Sequence, residues 1–496
     1  MKKRISSILL LVAAFVGLGL MSSCDKGGSD LKSMLKTVPA DAPYVMAFNA
    51  NPVLDQLEFK KDGDRYTFCK EVQEIVDLSG ADKKIVNTVC EFIDATGKTL
   101  VLYGDGSDLE TVWMTFSVNN QDEFVKLMEK VAKDNGGKLD FKEEGGYKMG
   151  ADGIFAMKDN RVWMCSEKID VKKIDKFADL GDDSFAEKNG KLTDRMCADN
   201  TVTATCVNLT ECLSALRKMG GDSEVGILQS AMSLLFEDAT YLFATSTLNN
   251  QGAESVAEIL NSKYETAKFL LPVGKIEPAA MAKINNNAGV VAAINLPSEL
   301  MSKISGLITT LNGGDSAEIK MITGILNSIS GTLAVSVNGP EEIIASIPFT
   351  DEASATSFGE LMAQGGMDCS VAGNYLVMRS KPGLQGGGSA PESFKGEFAA
   401  YNLNFANVPE TLISGLDMKS LGKVSVTLGQ YESGLRLNGK WECNRLIPTV
   451  CSLVRKGVAG YLTGEVKIPM LDGGQDYPEP DAYDSVYEEA VAEEVW

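Results

Sequence analysis

The residues able by type to do chemistry are carboxylates, lysines, tyrosines and ten cysteines, because this 496-residue chain contains no histidine. That absence removes Ser-His-Asp and Cys-His catalysis, histidine-based zinc sites and imidazole proton shuttles. Gly97-Lys98-Thr99 has the ending of a phosphate loop. The position five residues earlier is Phe92 rather than Gly, and a strand follows where phosphate binding needs a helix N-terminus. Asp62-Gly63-Asp64 is an acidic pair without the further carboxylates and distal Glu of a calcium loop, and reads as a solvated turn. Four asparagines, Asn49, Asn208, Asn295 and Asn402, each follow a short apolar run and could converge on a polar ligand. The same local position in all four favours side-chain amides that close strand-to-helix turns. No carboxylate pair stands out for glycosidase chemistry, and the expectation is a chain without catalytic residues, metal or cofactor.

Nine cysteines follow position 24: Cys69, Cys90, Cys165, Cys197, Cys206, Cys212, Cys369, Cys443 and Cys451. No two stand as C-x-x-C, so metal ribbons and thioredoxin-like motifs lack support. Their number is odd and their spacing irregular. Cys69 shares a helical face with Val72 and Val76, and Cys90 one with Val86 and Ile93. Packed free thiols are expected. Cys206 is read as a small buried side chain where other copies of its motif have Ala47, Ala293 and Ala400.

The N-terminus carries an export signal. Lys2, Lys3 and Arg4 precede an apolar run from Ile8 to Leu20, small residues lead to Cys24, and a polar stretch follows. Met21-Ser-Ser-Cys24 resembles a bacterial lipobox, with Met21 where that pattern most often has Leu. The resemblance implies cleavage after residue 23 and acylation of Cys24, palmitate included, so that a lipid tethers the protein to a membrane. Residues 24–30 would be the tether. The implied address is the outer membrane, facing the periplasm or the cell surface. No later run reaches the length of a membrane span. A formal charge of −21 argues against nucleic acid as a partner. It argues equally against electrostatic docking on anionic lipid.

The elements that position these residues repeat. Val45 to Asn49 runs into Pro52 to Leu57, a strand followed by a helix with Pro in its first turn. The same grammar recurs at Thr205 to Asn208, Ala292 to Asn295 and Ala399 to Asn402, the last before a helix near Pro409. Further on, Gly97 to Leu102 answers Gly331 to Val335. The strand Val112 to Val118 answers Ile343 to Phe349, the helix at Phe124 answers that at Phe358, and Asn160 to Ser166 answers Asn374 to Ser380. The class expected is α+β. Two related domains, residues 31–275 and 276–468, would each hold mixed or antiparallel sheets covered by helices, arisen by internal duplication. Residues 469–496 form an acidic tail, expected to be disordered. Tyr483, Val486, Tyr487, Ala490 and Val491 nevertheless share one helical face there, as a partner-docking helix would require.

Val38-Pro-Ala-Asp-Ala-Pro-Tyr-Val45, with Phe185-Ala-Glu-Lys-Asn189 ahead of Val207-Asn-Leu209, resembles a family of Bacteroidetes lipoproteins that carries a domain of unknown function. The resemblance covers most of the mature chain and implies lineage and cell-envelope location, with no catalytic residues. Asp315-Ser316-Ala317 and Asp484-Ser485-Val486 are similar to the O-glycosylation acceptor of that bacterial group, which makes Ser316 and Ser485 candidates. The function expected is that of a non-enzymatic envelope lipoprotein that binds or scaffolds an envelope protein or glycan between its repeated units. The alternatives are a carboxylate-only hydrolase acting on surface glycans and an accessory subunit of an envelope complex.

Overall fold

The computed structural model describes residues 27–463 apart from 64, 79–82, 107–108, 135, 151–152, 220–221, 312–315, 340 and 410–415. The signal, Cys24, Ser485 and the tail lie outside the described residues, as does the helix expected beyond Pro409. Among the described residues, eighteen strands join in one sheet. The first ten are β1 (Tyr44–Asn49), β2 (Thr96–Gly104), β3 (Val112–Val118), β4 (Lys142–Glu144), β5 (Tyr147–Gly150), β6 (Phe155–Lys158), β7 (Arg161–Cys165), β8 (Thr201–Asn208), β9 (Tyr241–Asn249) and β10 (Gly252–Leu260). The other eight are β11 (Val290–Leu296), β12 (Gly331–Val337), β13 (Ile343–Pro348), β14 (Asp368–Ala372), β15 (Tyr375–Arg379), β16 (Ala399–Asn404), β17 (Lys423–Tyr431) and β18 (Gly434–Glu442).

Every pairing is antiparallel. The order is β4-β5-β6-β7-β3-β2-β1-β8-β9-β10. It then crosses to β18 and continues β17-β16-β11-β12-β13-β15-β14. Counted outward from the β10–β18 seam, β10, β9, β8, β1, β2, β3, β7 and β6 stand opposite β18, β17, β16, β11, β12, β13, β15 and β14. The strands matched by the sequence echo occupy corresponding places in that count, and the β4–β5 hairpin lacks a counterpart. The fold is thus α+β, with a large antiparallel sheet and helices.

Alternation along the strands sends Val45, Ala47, Val101 and Tyr103 to one face and Met46, Phe48, Leu100 and Leu102 to the other. The helices, in chain order, begin with α1 (Gly27–Leu35), α2 (Asn51–Leu57), α3 (Lys70–Leu78), α4 (Lys83–Ala95), α5 (Gln121–Asp134), α6 (Val171–Ala178), α7 (Phe185–Lys188) and α8 (Gly190–Met196). They continue with α9 (Leu209–Lys218), α10 (Asp222–Leu235), α11 (Pro278–Met281), α12 (Ser298–Leu311), α13 (Ala317–Ser328), α14 (Glu352–Gln364) and α15 (Leu446–Thr463). On the first face, Leu35 of α1, Phe177 of α6 and Met196 of α8 enter one core with Val45 and Tyr103. Phe177 meets Tyr103 and Trp113 edge-on at 5.7 and 5.0 Å. On the second face, α2, α3 and α15 bury Val53, Leu54 and Leu446 against Leu248 of β9. Beyond the far end of these strands, Leu300 of α12 packs with Leu271 and Phe398.

The two halves exchange segments across the seam. Helix α15 leaves β18 and packs on α2, where buried Gln56 donates to the Asn249 carbonyl at 2.6 Å and accepts from the Ile447 amide at 3.0 Å. Arg455 of α15 pairs with Glu74 of α3. In return, Phe269, Leu271 and Val273, which follow β10, pack against α12 of the second half.

Two expectations are corrected. Helix α1 begins at Gly27, inside the stretch expected as tether. The Asp30 carboxylate there accepts from Thr99 (2.7 Å) and Ser117 (2.8 Å), which fixes the chain to β2 and β3. The fourth strand motif is also shifted by two residues. Ala47 pairs with Ala204 and Ala293 with Ala400, so the counterpart of Asn208 is Asn404 rather than Asn402, and the counterpart of Cys206 is Asn402.

Candidate binding face at the seam

The seam is built from nine-residue strands whose facing side chains pair in charge. Glu254 and Arg436 are the third residues of β10 and β18, and Glu258 and Lys440 the seventh. On the first face Glu258 thus meets Arg436 (3.2 Å) and Glu254 meets Lys440 (3.8 Å). Only the Glu258 side chain is buried, at 2% exposure, and Arg195 of α8 reaches it at 2.5 Å. Thr266 adds a hydroxyl donor at 3.1 Å. The guanidiniums rest on rings, Arg195 over Phe243 at 4.2 Å and Arg436 over Tyr431 at 3.0 Å. Burial alone would raise the Glu258 carboxyl, but the two guanidiniums outweigh it and hold the group below its ordinary value. A carboxylate saturated in this way stays ionised in the folded protein and links a side chain of each half.

The second face of the same strands is apolar. Its rows follow from the register. One runs Thr205, Ala244, Ala257, Leu437 and Leu428, and the next runs Ser246, Ser255, Gly439, Val426 and Tyr401. Small residues form the middle, where the Ser246 and Ser255 hydroxyls bond each other at 2.8 Å. Leu242, Leu437 and Tyr401 stand exposed around them, Leu437 at 42%. In other parts of the sheet this face is closed by helices, as where Phe358 of α14 packs with Ile347 and Val371.

Two helical hairpins flank the strip at one end of the sheet. Asn208 caps α9 through the Glu211 amide (3.2 Å), and Ser316 caps α13 through the Ile319 amide (3.2 Å). The same sequence, Gly-Gly-Asp-Ser, stands at 220–223 and 313–316, between the two helices of each pair or opening the second. Their second helices keep apolar side chains outside. Met219, Ile227 and Leu228 are exposed on one hairpin, and Met321 (63%), Ile322 and Ile325 on the other. Helix α13 has no buried residue. With Leu270 beside them, ten of the fourteen exposed large apolar residues lie on this strip and its flanking helices. Clustering of this kind, rather than single exposed leucines, marks a recognition surface.

The structure disperses the residues that sequence reasoning singled out. Asn49 accepts from the Asn51 amide (3.1 Å), and Asn208 caps α9, so these two close turns. Asn295 instead donates to the Lys275 carbonyl (2.9 Å) and Thr332 (3.1 Å), tying the inter-half segment to β12. Asn402 is buried with its amide oxygen unpartnered. Gly97 and Thr99 lie in β2, where the ladder with β3 shifts register. A Cβ at Gly97 would overlap the Ser117 hydroxyl. Asp62 ends one arm of a hairpin with Arg65–Thr67, and Asp64 lies outside the described residues. Ser316 is exposed at the α13 cap. The nine cysteines are unpaired. Burial pushes the Cys90 and Cys206 thiols up to about 12.

The carboxylates of Glu258 and Asp105 are both buried, and both are held by cations. Asp105 pairs with Lys173 and accepts from the Trp113 indole at 3.0 Å. No cluster of three or more metal-ligating side chains occurs among the described residues. No described helix is long and apolar enough to cross a membrane. Sequence reasoning missed the apolar strip. The signal was the alternation Val424, Val426, Leu428 followed by Leu435 and Leu437, together with the repeated Gly-Gly-Asp-Ser sequence.

No family model matches the chain. No curated protein matches it either. Among solved structures it is similar to one described as "Structure of crystal form I of TP0453", at 10% identity and a TM-score of 0.22, covering 71% of this chain and 91% of that one. A likeness of that size carries no argument about fold or function.

Proposed function

We propose that this protein is a non-enzymatic binding lipoprotein of the cell envelope, anchored through Cys24. Its working surface is the apolar strip of β9, β10, β18, β17 and β16 with the exposed sides of α10 and α13. The observation that carries this reading is the concentration of exposed apolar side chains there, including a helix with no buried residue. The partner chemistry that suits a flat strip with a floor of small residues is an amphipathic protein segment that lays its apolar side down. A subunit of an envelope complex would supply such a segment, which joins the binding and accessory-subunit readings. Duplication of one large unit would account for two halves with the same strand order meeting at this seam. A hydrolase reading gains nothing from Glu258 and Asp105, since each is neutralised by its own cations.

Site-specific photo-crosslinking in intact cells tests the surface. A crosslinker at position 437 or 322 should label one discrete protein segment, and one at position 143 on the β4–β5 hairpin should not. Equal labelling from all three positions would refute the reading. The anchor has its own test, because a Cys24→Ala variant should leave the membrane fraction, and retention there would remove the lipid from the account.

A further inference from the structure

The two ends of the sheet finish differently. The first half ends on β4, a strand of three residues in which Lys142, Glu143 and Glu144 are all exposed. A short charged strand resists further pairing. The second half ends on β14, five residues from Asp368 to Ala372 with Asp368 as their single charge. Among the described residues β14 pairs with β15 alone. We infer that the outer edge of β14 is a second binding site, which takes an extended segment of a partner protein as an added antiparallel strand. It stands five inter-strand steps beyond β16, about 24 Å, and owes nothing to the apolar strip.

The first half shows what such an edge accepts. Its β6 stands opposite β14 in the count from the seam, and both strands enter a two-residue turn. Lys158 faces Arg161 across one turn, and Ala372 faces Tyr375 across the other. A turn of that length makes its closing residues a mutually bonded pair. Every second residue back from it then bonds inward, and those between hold N–H and C=O outward. In β6 the outward residues are Met157 and Phe155, and β5 pairs with both through Lys148 and Gly150. In β14 they are Val371 and Cys369, whose four backbone groups meet no strand among the described residues. The surroundings set the side chains of the occupant. Val371 and Cys369 pack with Phe358 of α14. Beside them Leu361 of α14 and Met367, just ahead of β14, are exposed at 60% and 39%. The opposite side of the strand carries Asp368 and Ser370, which meet Arg379 at 3.8 and 2.9 Å. A segment that alternates fits this edge, its apolar side chains toward α14 and its polar ones toward Asp368 and Ser370.

Displayed peptides of about ten residues with alternating apolar and polar positions, selected on the full-length protein, supply the probe. A selected peptide should slow hydrogen exchange at the Cys369 and Val371 amides by about tenfold. Val371→Pro removes one outward N–H and leaves the ladder to β15 intact, so it should weaken binding by about tenfold. Where that variant does not fold, Ser370→Lys, a charge on an exposed side chain in the middle of the edge, should have the same effect. Leu437→Asp on the apolar strip should leave binding unchanged. Three results would overturn the edge site: no selectable peptide, a peptide that leaves both amides unprotected, or binding lost in Leu437→Asp and kept in the edge variants. Protection of the two amides that grows with protein concentration in the absence of peptide would replace the partner segment by a second copy of this chain.

Discussion

Replacing Glu258 by Gln tests whether the seam is held by charge. Gln keeps the size of the side chain but leaves Arg195 and Arg436 facing each other with one shared neutral acceptor. Removing one member of a buried ion pair costs about 3–5 kcal/mol. The lower end applies here, because the two arginine side chains are 36% and 23% exposed and can recruit water. The control is Glu254→Gln, the corresponding pair in the other direction across the seam. Its partners are 57% and 52% exposed and 3.8 Å apart, so under about 1 kcal/mol is expected. Equilibrium urea unfolding followed by tryptophan fluorescence measures both. The pH dependence adds a sign. Glu258 titrates below its ordinary value of 4.5 in the folded protein. Its contribution is therefore complete above about pH 5 and is lost as pH falls through the lower, folded value. The gap between parent and Glu258→Gln should narrow as pH falls below the ordinary carboxyl value. Equal costs for the two variants, or a gap that does not narrow in acid, would show that the seam is held by strand pairing and packing instead.

Three further outcomes are expected. Gly97→Ala should cost about 2–3 kcal/mol in thermal melts, because its methyl would displace the Ser117 and Asp30 side chains that seat α1; Gly63→Ala, strained only by its positive φ, should cost about 1. Cys90 and Cys206 should react with a thiol reagent at pH 8 only after unfolding, and Cys206→Ala should cost on the order of 1 kcal/mol; fewer than nine thiols in the denatured Cys24→Ala chain would reveal a disulfide. Asn208→Ala should cost about 1 kcal/mol through its lost cap, and Asn295→Leu should cost more than Asn402→Leu, since only Asn295 loses two made hydrogen bonds.

Much of the architecture was legible because strand and helix alternation leaves a period in the sequence. The matched strands at Gly97 and Gly331 stand at corresponding places in the sheet, and the matched helices at Phe124 and Phe358 follow strands that do. The error at the fourth motif has a simple origin. Asn402 and Asn404 are two apart on one strand and point the same way, so the pattern fits either. Only the place where the chain leaves the sheet decides, and there Asn404 binds the Ala406 amide at 3.1 Å. The apolar strip escaped for a related reason. Val424, Val426 and Leu428 alternate as they would under a covering helix, and the sequence does not say whether that helix exists. The seam charges were equally silent, since Glu258 and Arg436 are 178 residues apart.

The exchange of α15 for the segment after β10 bears on how the protein matures. Helices α2 and α3 of the first half meet their apolar cover only when residues 446–463 have been delivered. During synthesis, Val53, Leu54 and Leu57 therefore pack first with Phe59, Ile93 and Leu248 of their own half and still lack Cys443 and Leu446. Sequence separations this long slow folding, and the waiting state exposes both an apolar face and the free edge of β10. Once closed, the exchange binds first and last segments in a single cooperative unit, and separate expression of either half would leave an unfinished core.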